Sequence, residues 1–326
     1  MIMKAYAGID LGGTNIKYGL ADSQGEVIVF RTVPANVADG REALLEQLKL
    51  CAEDLLFYTA ENDLQVPYVG IGSPGVVDPH NGIVVGHSPN LPEWPGTRVT
   101  DYLSNYLNIP VYLANDGNLM ALAEVMFGAA RGYRNVICTT IGTGIGGAII
   151  LEGKLIIGKT FSAGEFGHIP IVMDGKQCNC GLKGCLEAYA SASQLIEIAC
   201  ELAQSSESKG RLAEAVREKN SITIKELFSY FRAKDKLARQ AIEMQADFMA
   251  TGLASAVNLL NPDAIVIGGG VADGGGNEYV RIIEDKLRQR IFEDARKSLI
   301  VLKAKLGNKA GFIGAAFQKE EIGSFD

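Results

Sequence analysis

No apolar run in this chain reaches the length of a membrane span, and the first residues, 1–6, lead straight into strand-like sequence rather than a leader peptide. A membrane-embedded or secreted protein is therefore not expected. Net positive charge is missing too: the balance is −7 and the pI about 5.2. Nucleic acid is thus not an expected partner, because its phosphates need a basic footprint. Cysteine is sparse, six in 326 residues, which suits a reducing cytoplasm better than a disulfide-built scaffold. The single tryptophan, Trp94, is a residue type that more often anchors a core than serves as a ligand platform. What remains is an ordinary globular composition, 47% hydrophobic and 21% charged, with mean hydropathy +0.11. The length allows two domains of roughly 150 residues each.

Glycine, by contrast, is abundant and clustered, with 38 residues. Clustered glycine points to binding through backbone N–H groups, with phosphate the most plausible ligand. Three short apolar runs, 4–10, 15–22 and 26–33, predict a β-meander whose first turn, 11–14, has almost no side chains. Gly12 and Gly13 let N–H groups approach an anion, Thr14 adds a hydroxyl, and Asp10 ends the strand where it can hold Mg²⁺ through water. A plain hairpin with a structural Asp fits the same residues. Helical spacing follows over 40–62, then a buried strand that breaks at Ser73-Pro74-Gly75. The next loop is rich in Pro, Asn and Gly, and such a loop is expensive to order unless it serves a purpose. Gly75, Ser88 and Asn90 are its candidates for a polar pocket. The strand IPVYLAND then ends at Asn115-Asp116, directly before a helix. Open α/β sheets put their chemistry at such strand ends, and Asp is also a favoured helix cap; the two roles are compatible.

The second half opens like the first. Strand 136–141, Gly/Thr turn 142–144, strand 145–151 and strand 154–158 repeat the order of the opening meander. Two such meanders would present two Gly/Thr loops to opposite sides of one polyphosphate. A third glycine cluster, within 264–276, ends a later buried strand after a long amphipathic helix at about 236–260, and is placed to close over a nucleotide base. Helices are expected at 278–291 and 311–320, with a strand between them.

Between these segments lies a compact set of soft and borderline donors. His168, Cys178, Cys180 and Cys185 follow one another at spacings of ten, two and five. Thiolate and imidazole are the donors Zn²⁺ prefers, and four of them close a tetrahedral structural site with no position left for water. Gly181 and Gly184 supply the tight turns between the last ligands. A disulfide pair is the alternative, and a zinc ribbon on nucleic acid is disfavoured by the acidity of the chain. Glu165 and Glu187 flank the cluster.

Taken together, these residues resemble the ROK family (repressors, open reading frames and sugar kinases) over nearly the whole chain. Asp10-Leu-Gly-Gly-Thr14 is similar to its first phosphate loop, Ile141 to Gly147 to its second, and Gly268-Gly-Gly270 to its adenosine loop. Asn115-Asp116 match its sugar-binding Asn and catalytic Asp, and the stretch from Gly164 through Glu187 matches its signature and zinc site. The resemblance implies an α/β protein with the duplicated ribonuclease H-like, actin-type ATPase fold, two domains and a cleft between them. It implies phosphoryl transfer from ATP to a hexose, with Mg²⁺ catalytic, Zn²⁺ structural and Asp116 as general base. Sugar contacts are expected from Gly75, Asn90, Asn115, Asp116, Glu165, His168 and Glu187. Nucleotide and Mg²⁺ contacts are expected from Asp10, Gly12, Gly13, Thr14, Lys17, Thr140, Gly142, Thr143, Gly144, Gly268, Gly269 and Gly270. His168 would serve zinc and sugar at once, through its two ring nitrogens.

Glucose at the 6-hydroxyl is the first choice of substrate, because SPNLPEW and the Glu165/His168/Glu187 set resemble those of family glucokinases. N-acetylmannosamine, N-acetylglucosamine and fructose are the alternatives. A sugar-sensing regulator without turnover is the alternative of another class, although the family's repressors carry a DNA-binding segment ahead of the first phosphate strand, and here that strand starts at about Lys4. The expected domains are 1–116, with a C-terminal helix 311–322 packing back on it, and 117–310. A homodimer without nucleic-acid or membrane partners is expected.

Overall fold

A computed structural model of the chain describes residues 3–86, 88, 91, 93–205 and 210–320. Packing divides the chain into two units, one comprising Met1–Arg134, Glu152–Ala163 and Lys305–Asp326, the other Asn135–Leu151 and Gly164–Ala304. No helix among the described residues is long and apolar enough to cross a membrane.

The first unit is built on a five-stranded sheet. Its opening meander is β1 (Tyr6–Leu11), β2 (Asn15–Ala21) and β3 (Val27–Pro34), followed by α1 (Arg41–Glu61), β4 (Val69–Ser73), α2 (Val99–Leu107), β5 (Val111–Asn115) and α3 (Asp116–Met126). β2 runs antiparallel to β1 with Asp10 opposite Lys17, while β4 runs parallel to it with Asp10 opposite Gly72. β5 extends the parallel part, pairing Ser73 with Asn115. The register therefore brings the carboxyl ends of β1, β4 and β5 to one edge. One face of the sheet closes on α1 and α2 through Leu44, Leu48, Leu55, Val99 and Leu103.

A helix from the far end of the chain, Ala310–Phe317, covers the other face with Phe312, Ile313 and Phe317, packed with Leu119, Leu122 and Met126 of α3. The approach is close enough to explain three glycines. A Cβ on Gly8 would lie 1.9 Å from the Phe312 carbonyl oxygen, one on Gly70 1.8 Å from that of Ala315, and one on Gly314 1.8 Å from that of Leu119. The sequence places the change of domain after residue 116; by packing, α3 stays with the first unit because this core needs it.

The return of the chain into that helix is held by a buried carboxylate. Glu124 of α3 is fully buried and accepts from the backbone N–H groups of Ala129, Lys305 and Leu306 at 2.8–3.1 Å. Nothing in the sequence near Glu124 signals that role, since two of its partners lie about 180 residues later.

The second unit repeats the hairpin. β6 (Val136–Ile141) pairs antiparallel with β7 (Ile145–Leu151), and on its other side parallel with β8 (Ala264–Gly268), which pairs parallel with β9 (Ile300–Lys303). The core between this sheet and its helices is rich in Ile, Leu and Ala. The long helix expected at about 236–260 spans Lys236–Leu260, capped by Asp235, whose side chain accepts from the N–H groups of Leu237 and Ala238. Helices Ala192–Ser205, Arg211–Lys219 and Ile224–Arg232 go beyond the sequence-based expectation, although Thr223 and Glu226 carry a reciprocal capping pair that marks the start of the last.

The third glycine cluster follows a buried strand, as expected, and is itself largely helical. Gly269–Leu287 is helical with a break at Gly276 (φ 63°), so this helix begins before the expected 278 and ends before 291. Glycine is needed at position 269, where φ is +87° and a Cβ would lie 2.6 Å from the Ile141 backbone. The C-terminal helix stops at Phe317 rather than reaching 320, and residues 321–322 of its expected span lie outside the described residues.

Candidate active site

In the first unit the site is assembled by strand register. Asp10 and Asn115 end parallel strands on either side of β4, and at about 4.8 Å per strand their backbones stand about 10 Å apart. Between them β4 passes with Gly72 opposite Asp10 and Ser73 opposite Asn115. Asn115 caps α3, its Oδ1 accepting from the Asn118 N–H at 3.0 Å. Its amide donates to the Gly75 carbonyl (3.1 Å) and to Asp116 Oδ1 (3.1 Å), which also accepts from the Gly117 N–H at 2.8 Å. The Asp116 carboxylate is thereby held in one orientation at the positive end of a helix. Gly75 itself adopts φ +89°. Ser73, two residues before it, is anchored by Trp94, which is 1% exposed and donates through Nε1 to Ser73 Oγ at 2.8 Å; the role of this tryptophan is packing.

Asp10 sits against the start of the C-terminal helix: a Cβ on Gly311 would come within 2.4 Å of its carboxylate. Burial pushes the Asp10 carboxyl above the usual carboxylate range, an effect opposed by Lys17, whose Nζ stands 4.0 Å away. Lys17 also reaches Asn308 Oδ1 at 3.5 Å. A single, mostly buried carboxylate suits a hydrated Mg²⁺ that takes its remaining ligands from phosphate oxygens and water. The turn beside it is closed by a Gly12 N–H to Asn15 carbonyl bond of 3.0 Å, leaving Gly13 and Thr14 exposed.

In the second unit the equivalent turn is closed by the Gly142 N–H donating to the Gly144 carbonyl at 2.9 Å. Two supports reach it from the cysteine-rich segment and the helix after it. The Ala192 N–H donates to the Gly142 carbonyl at 2.8 Å, and Glu187 Oε2 accepts from the Ile145 N–H at 2.9 Å. Thr140 is the register partner of Gly268, so the glycines at 268–270 emerge beside this loop, with the first N–H groups of the helix left for a ligand.

The cysteine cluster is folded as a small knuckle. The Cys178 N–H bonds the Leu182 carbonyl (2.8 Å), the Gly184 N–H that of Lys176 (2.8 Å), and the Leu186 N–H that of Ile169 (2.9 Å). Gly181 and Gly184 take φ +91° and +78°, the turns expected of them. The donor atoms of His168, Cys178, Cys180 and Cys185 all lie within 4.8 Å of one another. Cys180 Sγ stands 3.7 Å from Cys185 Sγ, and Cys178 Sγ 3.8 Å from His168 Nδ1. A Zn²⁺ with bonds of about 2.3 Å to sulfur needs tetrahedral edges of about 3.8 Å, so the four donors fit this ion. Burial pushes the Cys185 thiol up to about 12, a shift that a bound cation reverses by holding the thiolate.

The expected residues thus fall into two sets. Asp10, Gly12, Gly13, Thr14, Lys17, Gly75, Asn115 and Asp116 gather at one sheet edge of the first unit; Thr140, the Gly142–Gly144 turn, His168, Glu187, the three cysteines and the glycines at 268–270 belong to the second. Glu165 is exposed, and its carbonyl accepts from the His168 N–H at 3.0 Å. Asn90 lies outside the described residues. A cavity of about 230 Å³ in the second unit is lined by Thr143, Lys176, Cys178, Glu187, Ser191 and Gln194 among others.

Known proteins of similar sequence and shape are numerous. The family model described as ROK family matches residues 6–321. The glucokinase of Thermotoga maritima is 34% identical, with 97% of this chain and 98% of that protein covered. Among solved structures, the ROK family glucokinase of Streptomyces griseus in complex with glucose and AMPPNP superposes with TM-score 0.82 at 33% identity, covering 96% of this chain and 98% of that one. The ROK hexokinase of Thermus thermophilus gives TM-score 0.78 at 31% identity, covering 96% of both chains.

Proposed function

The chain belongs to the ROK family, and from that premise we propose that it transfers the γ-phosphoryl group of ATP to a hexose hydroxyl, with the 6-hydroxyl of glucose as its first substrate. The observation that carries the reading is the Asp116 carboxylate, fixed by the Gly117 N–H and the Asn115 amide just past the carboxyl end of β5, in the parallel part of the sheet. In that position it accepts the proton of the attacking hydroxyl. No raised pKa is required, because in a loose phosphoryl-transfer transition state the proton leaves late.

The Gly12–Thr14 and Gly142–Gly144 turns hold phosphate oxygens through backbone N–H groups, and the helix start at Gly269-Gly270 receives the adenosine. Asp10 is the residue that would hold Mg²⁺, which when bound neutralises charge on the phosphates. His168, Cys178, Cys180 and Cys185 would hold Zn²⁺ as a structural staple that fixes the His168 ring for the sugar. Asn115, Glu165, His168 and Glu187 bind the sugar hydroxyls. The enzyme acts in the cytoplasm as a homodimer.

The test is ADP release with Mg·ATP against glucose, mannose, fructose, N-acetylglucosamine and N-acetylmannosamine. Turnover strongest on glucose is expected. Silence on every sugar from folded, zinc-replete protein would overturn the kinase reading in favour of a sensor.

A further inference from the structure

Glu187 stands two residues after the cluster's Cys185, yet its carboxylate does not stay within the cluster. Oε1 lies 3.9 Å from Cys178 Sγ, while Oε2 accepts from the Ile145 N–H at 2.9 Å. Ile145 is the first residue after the Gly142–Gly144 turn. Glycine at 144 leaves room for this contact, since a Cβ there would stand 2.5 Å from Oε2 and 3.4 Å from the carboxyl carbon and the carboxylate would have to shift. Gly167, which directly precedes His168, also packs closely on Ile145, since a Cβ there would lie 2.2 Å from the Ile145 carbonyl oxygen.

We propose that Glu187 is a positioning residue for the nucleotide: its carboxylate is a strut from the Cys/His cluster that sets the Gly142–Gly144 turn in its phosphate-binding shape before any sugar arrives. The inference rests on the kinase reading, and it adds to it a role for this carboxylate separate from sugar contact. A charge-assisted bond from a carboxylate to one backbone N–H fixes where that strand starts, and hence the direction of the turn's own N–H groups. On the kinase reading, a sugar hydroxyl that engages Glu187 and a phosphate on the turn it supports act through the same side chain. Binding of one is thereby coupled to binding of the other.

The experiment is calorimetric titration of Mg·ADP into sugar-free protein, with zinc content measured on each variant. Glu187→Ala is expected to bind ADP roughly tenfold more weakly than the parent. Glu187→Gln keeps an amide oxygen for the Ile145 N–H and is expected to bind ADP within about twofold of the parent. Gly144→Ala leaves every metal ligand unchanged, but its methyl, 2.5 Å from where Oε2 stands, requires the Glu187 carboxylate to shift. It should weaken ADP binding to a similar extent, and add nothing in a Glu187→Ala background, where the methyl has room. ADP affinity unchanged in Glu187→Ala, or additive losses in the double variant, overturn the strut. A parent protein that binds no ADP overturns the kinase reading itself, and the two failures are thus distinct.

Discussion

Replacing Glu124 by glutamine changes one atom in a fully buried carboxylate and tests how the end of the chain is tied to its beginning. Four contacts of 2.8–3.1 Å link its two oxygens to the N–H groups of Ala129, Lys305 and Leu306. A carboxylate is acceptor-only and can meet all three donors, whereas an amide turns one of the two oxygens into an NH₂ that faces a donor. At least one N–H then loses its acceptor and the remaining bonds lose their charge assistance. At about 1 kcal/mol for each weakened or lost bond, the substitution should destabilise the first unit by about 2 kcal/mol. For a unit of this size that lowers Tm by roughly 4–8 °C. Truncation to alanine abandons all three donors and should reach about 3 kcal/mol or more, before any cavity term. Thermal and urea melts read the magnitude, and hydrogen exchange at the Lys305 and Leu306 amides reads the location. A Glu124→Gln protein with the parent's Tm and unchanged protection at those amides would refute the reasoning.

Asp116→Asn should lose about 10²–10⁴-fold in turnover with sugar affinity within a fewfold of the parent, as isothermal titration would show; retained turnover would exclude a base at this position. Cys180→Ser should empty the cluster of zinc by elemental analysis and weaken stability and sugar binding together, and a metal-free protein with parental sugar affinity would contradict it. Asp10→Asn should stabilise the ligand-free protein near neutral pH while abolishing turnover. The folded pKa of Asp10 is raised by burial, so the charged form is destabilising above that pKa and the penalty fades as pH falls through it. The advantage of the Asp10→Asn variant should therefore shrink toward acid in pH-dependent melts, and a constant advantage would argue against the burial effect.

Much of the candidate site is legible in the sequence because its parts are local. A Gly-Gly-Thr turn after a short strand, a Gly-Thr-Gly turn after another, an Asn-Asp pair at a strand end, and four soft or borderline donors within 18 residues each declare themselves within one element and its turn. The β-meander and the helix Lys236–Leu260 are readable from periodicity for the same reason. What escapes depends on residues brought together from far apart. Glu124 looks like any helix carboxylate until Lys305 and Leu306 arrive, and Gly8 and Gly70 look like strand irregularities until the Ala310–Phe317 backbone is laid on them. The helix is expected only from 278, after the glycines at 269–275, because glycine is a poor helix former in isolation. There a positive φ at Gly269, close packing against Ile141, and contact of Gly274 and Gly275 with the Phe228 ring override that preference.

The helix that seals the first sheet is made only after every residue of the second unit. Until residues 310–317 leave the ribosome, the face of β1 and β4 that carries Gly8 and Gly70 has no cover, while every residue of the second unit has already been synthesised. At about 5–20 residues per second, that face waits on the order of ten to thirty seconds after Arg134 is made. The unit that begins first is thus completed after the second. A nascent chain stalled before Ala310 would leave that sheet face open, a ready client for chaperones that recognise bare apolar sheet.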